Sequence, residues 1–456
     1  MTASTHFIGI SGTGLSAIAR VLLERGEKVS GSDQVMTEQS RRLESDGAVI
    51  SIGHEARNVN GASRVIRSSA IPDSNVEVIQ AQESGIPVLK RSEALGEILA
   101  NKKLIAVAGS HGKTTTSAML AWTLTSLDLD PGYIVGSDLV NTGKNASAGK
   151  SDYFVIEADE YDNMFLGLEP SLAIITNVEH DHPDIFPTRE EFFDAFRNFV
   201  DRIPDSGQLL YCADDVGASE IAGYARMRGI AVFSYSIDGN EADFKGENLA
   251  SVGAGFEFSF STTNEKMDQV VLNVPGKHNV QNATGSLAAF DLLEISLSKS
   301  ADALSEFKGT DRRFQVAGNV NGIVYVDDYA HHPSEIKATL QAATDIFPNK
   351  RIVAAWQPHT YSRTVLLWGD FVQSLGSADE LIILPVFEAR ETRPQEFDLR
   401  QLAKKSKLAD SIVYQDMNSA VQYLDNELKS NDLLIVLSAG DAVEINRKLL
   451  KEGGAK

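Results

Sequence analysis

The sequence predicts an α/β protein of three domains: a Rossmann-like N-terminal domain, a central P-loop-type ATPase domain with extra strands, and a Rossmann-like C-terminal α/β domain. The chain has 456 residues, and a domain typically has about 150. Short apolar runs ending in glycine, serine or aspartate alternate with helical periodicity, which is typical of parallel sheets covered by helices. Two glycine-rich turns each lead from such a run into a helix.

The elements place two boundaries between these domains. Strands are predicted at residues 6–10, 104–108, 323–327 and 433–437, each followed by a helical pattern. Residues 101–103 precede the second strand, and residues 308–310 precede another strand-led unit. We therefore predict domains at residues 1–101, 102–308 and 309–456. Alternation typical of β-hairpins between residues 231 and 274 predicts the extra strands of the central domain.

The composition is that of a globular protein with a strong negative charge. Hydrophobic residues make up 43%, and 63 acidic residues outnumber 42 basic ones, giving a net charge of -21. Phosphate backbones need a basic face, so we expect no nucleic-acid partner. Residues 151–244 hold 20 acidic residues, five arginines and no lysine. We expect most of these acids to form a solvated surface and a few to bind a metal.

Other features concern the compartment. No apolar run reaches the length of about 18 residues that a membrane span needs, and no basic stretch precedes an apolar segment at the N-terminus. Cys212 is the only cysteine, which excludes an internal disulfide and is typical of a reducing cytoplasm. We expect a cytoplasmic protein without membrane insertion, as a monomer or homodimer.

The first glycine-rich turn follows the strand at residues 6–10. Gly12, Gly14 and Ala17 have the G-x-G-x-x-G/A spacing, which directs a helix N-terminus at a pyrophosphate. Asp33 follows the next strand, where an acid reaches a ribose hydroxyl. NAD and a sugar nucleotide share this geometry, so a NAD-dependent dehydrogenase, a sugar-nucleotide site and a purely structural turn all stay open.

The second glycine-rich turn is a phosphate loop between the strand at residues 104–108 and a helix. Its backbone N–H groups would cradle phosphates, Lys113 would reach the β- and γ-phosphates of ATP, and Thr114 or Thr115 would contact Mg²⁺. Val107 stands where the usual motif has glycine, so the loop is a shortened variant. A dehydrogenase becomes the weaker interpretation, because hydride transfer needs no ATP.

Acidic residues and histidines follow the next two strands. Glu157 directly follows the strand predicted at residues 153–156, and His182 lies in the acidic block after the strand predicted at residues 172–178. Ligands bind at the carboxyl ends of parallel strands, and Mg²⁺ prefers carboxylate oxygens and phosphates. We predict Thr114, Glu157 and His182 as ligands of Mg²⁺, with Mn²⁺ as an alternative. A zinc site of nitrogen and oxygen ligands and a structural cluster stay open.

Five motifs in the second half of the sequence are specific enough to compare with a known family. They are Gly-Lys-His-Asn-Val-Gln-Asn-Ala at 276–283, Asp-Arg-Arg-Phe at 311–314, Asp-Asp-Tyr-Ala-His-His-Pro at 327–333, Gln-Pro-His-Thr-Tyr-Ser-Arg-Thr at 357–364 and Ser-Ala-Gly-Asp at 438–441. With the phosphate loop and the Glu157 and His182 blocks, they resemble the Mur ligase family of ATP-dependent amide ligases over essentially the whole chain. The motifs are most similar to those of members that attach L-alanine to UDP-N-acetylmuramate in peptidoglycan synthesis.

The resemblance implies a reaction and a role for each matching residue. A substrate carboxylate attacks ATP, and the amine of L-alanine displaces phosphate from the acyl phosphate while the third domain closes over the ATP site. Catalysis is assigned to Lys113, Glu157, His182, His331 and Arg363. The UDP-sugar site is assigned to Gly9, Gly12, Thr13, Gly14, Asp33, His54, Ser69 and Ala70. ATP is assigned to Gly109, Ser110, His111, Gly112, Lys113, Thr114, Thr115, His278, Asn279, Asn282, Arg313 and Asp328, and the amino acid to Tyr329, His331 and Arg363.

Two departures from the family pattern matter. Many relatives bridge two metals with a carbamylated lysine after the His182 region, but no lysine lies between Lys150 and Lys245. A second metal would need acids or water. Several relatives also have arginine where Thr360 stands, which places more weight on Arg363. A ligase that recycles a tripeptide onto the same sugar nucleotide, and a non-catalytic nucleotide-binding module, stay open beside the dehydrogenase.

Overall fold

The computed structural model describes residues 4–389, 391–405, 407–408 and 411–453. Three separate sheets follow one another along the chain, with five, ten and six strands. Each sheet is mainly parallel and carries helices on its faces, so the predicted three-domain α/β class is confirmed. The exact boundaries at residues 101/102 and 308/309 stay predictions.

The first sheet has the order β3-β2-β1-β4-β5, all parallel. Its first strand ends at Ile8, two residues before the predicted end, because Gly9 has a φ of +89° and starts the turn. The elements are β1 Ser4–Ile8, α1 Thr13–Glu24, β2 Lys28–Asp33, α2 Glu38–Ser45, β3 Val49–Ile52, a 3-10 turn Ala56–Val59, β4 Arg64–Arg67, α3 Val76–Glu83, β5 Val88–Lys90 and α4 Arg91–Leu99.

The second sheet has the order β15-β14-β13-β12-β11-β10-β6-β9-β7-β8. Strands β13 to β15 are antiparallel neighbours, which confirms the predicted extra strands. The elements are β6 Lys103–Ala108, α5 Lys113–Ser126, β7 Gly132–Leu139, β8 Lys144–Ser147, β9 Tyr153–Glu157, a 3-10 segment Tyr161–Gly167, β10 Leu172–Ile175, α6 Arg189–Val200, β11 Gln208–Cys212, α7 Val216–Met227, β12 Ala231–Ser236, β13 Phe244–Val252, β14 Gly255–Ser261, β15 Lys266–Leu272, α8 Lys277–Leu292 and α9 Leu297–Ser305.

The third sheet has the order β16-β17-β21-β18-β19-β20, with only β16 antiparallel to its neighbour. Trp356 at the end of β18 is fully buried in its core. The elements are β16 Gln315–Val320, β17 Ile323–Asp328, α10 Pro333–Ile346, β18 Arg351–Trp356, α11 Tyr361–Leu366, α12 Trp368–Leu375, β19 Glu380–Ile383, α13 Leu399–Lys404, β20 Ile412–Val413, α14 Met417–Glu427, β21 Asp432–Leu437 and α15 Glu444–Gly453.

The core of the central domain explains why its phosphate loop has a rigid base. Helix α5 packs between the sheet and α8, and ten of its 14 residues are buried. The opposite face of the sheet is covered by the phenylalanines of α6, among them Phe192, Phe196 and Phe199. Burial of these rings removes a large apolar area from water and anchors the strands that end at the site.

Polar contacts join the domains. The Glu24 carboxylate of α1 accepts hydrogen bonds from the Lys144 ammonium and the Ala148 N–H, and Arg42 contacts Asp138 at 2.7 Å. Across the other interface, Arg363 of the third domain contacts Asp181 of the central domain at 2.8 Å. In the described part of the chain, no helix is long and apolar enough to cross a membrane.

Candidate active site

The phosphate loop has a conformation that only glycine allows at two positions. Gly109 has a φ of +135°, and a Cβ there would lie 2.1 Å from the Thr176 hydroxyl oxygen. Gly112, with a φ of +81°, precedes α5, and no described side chain caps that helix. The Ser110 N–H donates a hydrogen bond of 3.0 Å to the Asn177 carbonyl, which fixes the loop. The first N–H groups of α5 therefore form a fixed anion site.

Lys113 is held as a cation inside this loop. Its ammonium donates to the Gly109 carbonyl and lies 2.9 Å from an oxygen of Glu160, which is fully buried. Burial lowers the pKa of Lys113, but the carboxylates of Glu160, Asp159 and Glu157 outweigh this and raise it. The sequence analysis gave Glu160 no role, although it lies in the same acidic block as Glu157, three residues further along the chain.

Thr114 and Glu157 converge as the predicted metal ligands require. Glu157 at the end of β9 accepts a bond of 3.1 Å from the Thr114 hydroxyl and one of 2.6 Å from the Gly136 N–H. Burial raises the pKa of this carboxyl, while Lys113 opposes the rise. A hydroxyl and a carboxylate beside a phosphate loop are the hard oxygen donors that Mg²⁺ prefers, so these residues fit that ion.

The metal site predicted from the sequence groups His182 with Glu157, but the carboxylates that His182 contacts belong to other residues. Its Nε2 atom lies 3.5 Å from Glu160 and 3.7 Å from Asp181. Burial lowers the pKa of this imidazole, but Asp181 and Glu160 raise it above its usual value. A metal and a proton would therefore compete for this imidazole.

Arg363 forms a buried ion pair with the central domain. Its Nε atom donates to Asp181 at 2.9 Å, its Nη1 atom lies 3.0 Å from His359, and both members of the ion pair are nearly inaccessible to solvent. Burial raises the pKa of Asp181, but His182 and Arg363 hold it well below its usual range. The sequence predicted Arg363 as a site residue but gave no role to Asp181.

The residues predicted for the amino acid form one aromatic and cationic cluster. The Tyr329 and His331 ring centroids are 5.4 Å apart, and those of His331 and His359 are 5.5 Å apart. Burial lowers the pKa of His331 to about 3 and that of His359 to about 4, so both rings are neutral near pH 7. Arg363 is the cation beside them.

A cavity of about 210 Å³ lies between the central and third domains. Burial lowers the pKa of His278 in this cavity to about 4, and the Asn282 amide donates to the Asn279 side-chain oxygen at 3.1 Å. Nine residues predicted for ATP line it together: His111, Gly112, Thr114, Thr115, His278, Asn279, Asn282, Arg313 and Asp328.

The third-domain side of this cavity is fixed by carboxylates. Asp328 accepts bonds of 2.8 and 2.7 Å from the Phe314 and Ala330 N–H groups, and burial raises its pKa to about 6. Arg313 pairs with Glu335 at 3.2 Å. Sequence reasoning did not assign Glu335, although it stands three residues after the helix cap of α10, where a capping acid is common.

The glycine turn of the first domain is organised by Asp33. This carboxylate accepts a 2.9 Å bond from the Ser11 N–H, so in this structure it fixes the turn. A Cβ on Gly9 would lie 3.0 Å from the Ser68 Cβ, which places the segment with the exposed Ser69 and Ala70 against the turn. Gly12 precedes α1, and no described side chain caps that helix.

Three further residues complete this region. The predicted His54 has its Nδ1 atom 3.0 Å from the Ser32 hydroxyl and 3.5 Å from the buried Glu77 carboxylate. Arg91 lies over the glycine turn, because a Cβ on Gly14 would be 2.7 Å from its Nη1 atom. Sequence reasoning missed Glu77 and Arg91, and nothing in the local pattern signalled them, since both lie far along the chain from the turn.

Comparison with known proteins agrees with this arrangement. Three family models match in order: "Mur ligase family, catalytic domain" at residues 4–103, "Mur ligase middle domain" at 107–290 and "Mur ligase, glutamate ligase domain" at 312–440. The protein named UDP-N-acetylmuramate–L-alanine ligase from Caldanaerobacter subterraneus is 39% identical over 98% of this chain and 97% of its own length.

Two solved structures are similar over the whole length. The UDP-N-acetylmuramate-alanine ligase of Thermotoga maritima has a TM-score of 0.83 at 27% identity, covering 99% of each chain. A murein peptide ligase from Psychrobacter arcticus has a TM-score of 0.73 at 27% identity, also covering 99% of each chain.

Proposed function

The chain belongs to the Mur ligase family of ATP-dependent amide ligases, and we propose that it joins L-alanine to the lactyl carboxylate of UDP-N-acetylmuramate in peptidoglycan precursor synthesis. Relatives that bear this name align along nearly the full chain. The matches do not favour an NAD-dependent dehydrogenase. The cytoplasmic location and the monomer or homodimer state stay predictions.

One observation carries the proposal: continuous contacts link the predicted amino-acid cluster to the phosphate loop. They run from Arg363 to Asp181, from Asp181 to His182, from His182 to Glu160 and from Glu160 to Lys113. An amino acid held by the third domain would therefore lie close to the γ-phosphate of ATP. Ligation needs this proximity, since it brings three substrates into one geometry.

The first step is an in-line attack. A carboxylate oxygen of the sugar nucleotide bonds to the γ-phosphorus, the bond to the β-γ bridging oxygen breaks, and ADP leaves with that electron pair. The Lys113 ammonium and the N–H groups at the start of α5 offset charge on the transferring oxygens. The protein itself positions this cation, because Glu160 pairs with Lys113 at 2.9 Å.

Thr114 and Glu157 are the residues that would hold Mg²⁺. The ion, when bound, supplies positive charge to the phosphate oxygens. Bound ATP would occupy the cavity lined by His278, Asn279 and Asn282.

In the second step the ammonium of L-alanine first loses a proton to solvent. The resulting amine attacks the acyl carbon, phosphate leaves with the electron pair of the carbon–oxygen bond, and the nitrogen releases a second proton to solvent. Arg363 would hold the amino-acid carboxylate, which must compete with Asp181 for the guanidinium. The neutral rings of His331 and His359 do not repel the incoming ammonium.

Phosphate release tests the proposal directly. The enzyme is incubated with ATP, Mg²⁺ and UDP-N-acetylmuramate, and phosphate is measured with each amino acid in turn and with the L-alanyl-γ-D-glutamyl-diaminopimelate tripeptide. We expect release with L-alanine and little with the tripeptide. Release with the tripeptide alone would establish the recycling ligase, and release with neither would reject both.

A further inference from the structure

Three side chains converge where the phosphate loop meets the third domain. His111 belongs to the loop, Glu179 follows β10, and His332 is the N-cap residue of α10. One potential ligand atom from each lies within 4.8 Å of the other two. His111 is also one of the residues predicted for ATP and lines the ATP cavity, whereas the ligation step proposed above uses neither Glu179 nor His332.

The spacing of the cluster matches a small four-coordinate ion. His111 Nε2 is 3.2 Å from Glu179 Oε2, and His332 Nδ1 is 3.9 Å from the same oxygen. Zinc bonds of about 2.0–2.2 Å place neighbouring ligands of a tetrahedral ion about 3.3 Å apart. The first pair already has this separation, and the second needs a shift of less than about 1 Å. The third pair, His111 and His332, lies within 4.8 Å, so the two rings would have to move closer together on binding.

The surroundings supply the outer contacts that such a site needs. The other ring nitrogen of His111, Nδ1, lies 3.5 Å from Glu335, which would orient the imidazole while Nε2 binds a metal. The Ser334 hydroxyl donates to Glu179 at 2.7 Å. Glu179 is half-exposed, so an ion can enter from solvent.

The cluster has a cation on one side only: burial lowers the pKa of His111, but Glu179 and Glu335 outweigh this and raise it to about 9, whereas the His332 side has none. Burial and the neighbouring His111 lower the pKa of His332 to about 4, so its Nδ1 carries a lone pair. That lone pair receives only a long bond of 3.4 Å from the Ser334 N–H, and it faces the Glu179 carboxylate. Two acceptors therefore lie side by side, while His332 Nε2 is buried without a hydrogen-bond partner in the described residues.

We propose that His111, Glu179 and His332 form a binding site for a zinc-class divalent transition-metal ion, with water as the fourth ligand. Two ligands come from the central domain and one from the third, so the bound ion would link the two domains beside the ATP cavity. The proton that His111 holds between Glu179 and Glu335 would be released to solvent on binding.

Cobalt titration of the full chain tests this site. Co²⁺ alone is added to protein in excess Mg²⁺, its visible spectrum and stoichiometry are recorded, and Zn²⁺ is then used to displace it. The variants are His332→Asn, which keeps a side chain able to cap α10, and Glu179→Gln. The control is His180→Gln, which removes a neighbouring histidine whose Nε2 atom lies 2.8 Å from the Phe186 carbonyl, outside the three-residue cluster.

We expect wild type and His180→Gln to bind one more Co²⁺ than the two ligand variants, or to bind it at least about tenfold more tightly. Circular dichroism checks that each variant folds. If His332→Asn does not fold, the comparison of Glu179→Gln with wild type decides the test. Equal binding by wild type and both folded variants overturns the proposal. A loss in only one folded variant overturns the three-ligand set, and an equal loss in His180→Gln overturns the location.

Discussion

The chain contains two glycine turns that each precede a helix N-terminus, yet their electrostatics differ. In the central domain, the loop itself supplies a cation, Lys113, which a fully buried carboxylate fixes at 2.9 Å. In the first domain, the cation beside the turn is Arg91, which comes from another segment and keeps 32% of its side chain exposed. Its distance to the Asp159 carboxylate is 3.8 Å, too long for a tight ion pair.

This difference indicates a division of work. A cation held in place before the reaction can stabilise charge that develops in a transition state. A half-exposed cation over a glycine turn can attract a diphosphate but is not fixed against a reacting atom. We therefore expect substitutions in the central loop to reduce the rate of chemistry, and those at the first turn to weaken substrate binding.

The largest expected effect is that of Lys113→Ala. Loss of the fixed cation should lower ligation by at least about 1,000-fold while leaving binding of the sugar nucleotide nearly intact. Calorimetry with UDP-N-acetylmuramate and a phosphate-release assay measure the two quantities. Loss of both functions in a folded variant would contradict the separation of the two sites.

Asp181→Asn should have the next largest effect, because it leaves the buried Arg363 guanidinium without a carboxylate. We expect a loss of about 3 kcal/mol in the free energy of unfolding and a larger radius of gyration as the third domain moves away. Denaturant unfolding and small-angle scattering measure these changes. Asp205→Asn, at an exposed acid of the same domain, should leave both unchanged, and an Asp181 variant that behaves like it would refute the domain link.

Arg91→Ala should raise KM for the sugar nucleotide about tenfold, the value of one charge-assisted hydrogen bond, with kcat unchanged. Steady-state kinetics with UDP-N-acetylmuramate separate the two constants. The matched control is Arg41→Ala, at an exposed arginine of α2. A fall in kcat alone would show that the first turn also takes part in chemistry and would break the comparison.

The smallest effect concerns acid stability under the first turn. Burial raises the pKa of Glu77, but the His6 ring at 3.5 Å and hydrogen bonds from Ser32 and Asn58 lower it from 4.5 to about 2. Its ionised form therefore adds stability that is complete above pH 4.5 and is lost as the pH falls toward 2. Urea unfolding should show Glu77→Gln less stable than wild type at about pH 7, with a difference that shrinks toward about pH 2. The exposed Glu83→Gln serves as the control, and a constant difference would argue against this role.

The sequence predicted what depends on local pattern. Glycine spacing located both turns, and strand ends located Glu157 and His182, because parallel sheets place ligands at those ends. The end of β1 was predicted two residues late, since periodicity does not show where Gly9 adopts a positive φ. The hairpin of β7 and β8 was not predicted.

The partners of the site residues could not be predicted from the sequence. Glu160, Asp181 and Glu335 act through contacts with segments up to 182 residues away, and a single sequence carries no signal for such pairing. The same limit applies to Arg363: its charge marked it as a binding residue, but its pairing with Asp181 follows only from the packing of two domains.

Transfer of ¹⁸O tests most directly whether the carboxylate of the sugar nucleotide reacts with ATP at the Lys113 loop. UDP-N-acetylmuramate labelled with ¹⁸O in its lactyl carboxylate is incubated with ATP, Mg²⁺ and L-alanine, and the released phosphate and the product are measured by mass spectrometry. We expect one ¹⁸O atom in the phosphate and a product that contains one added alanine residue and keeps the other ¹⁸O atom. Unlabelled phosphate, or phosphate released without the alanine adduct, would contradict this mechanism.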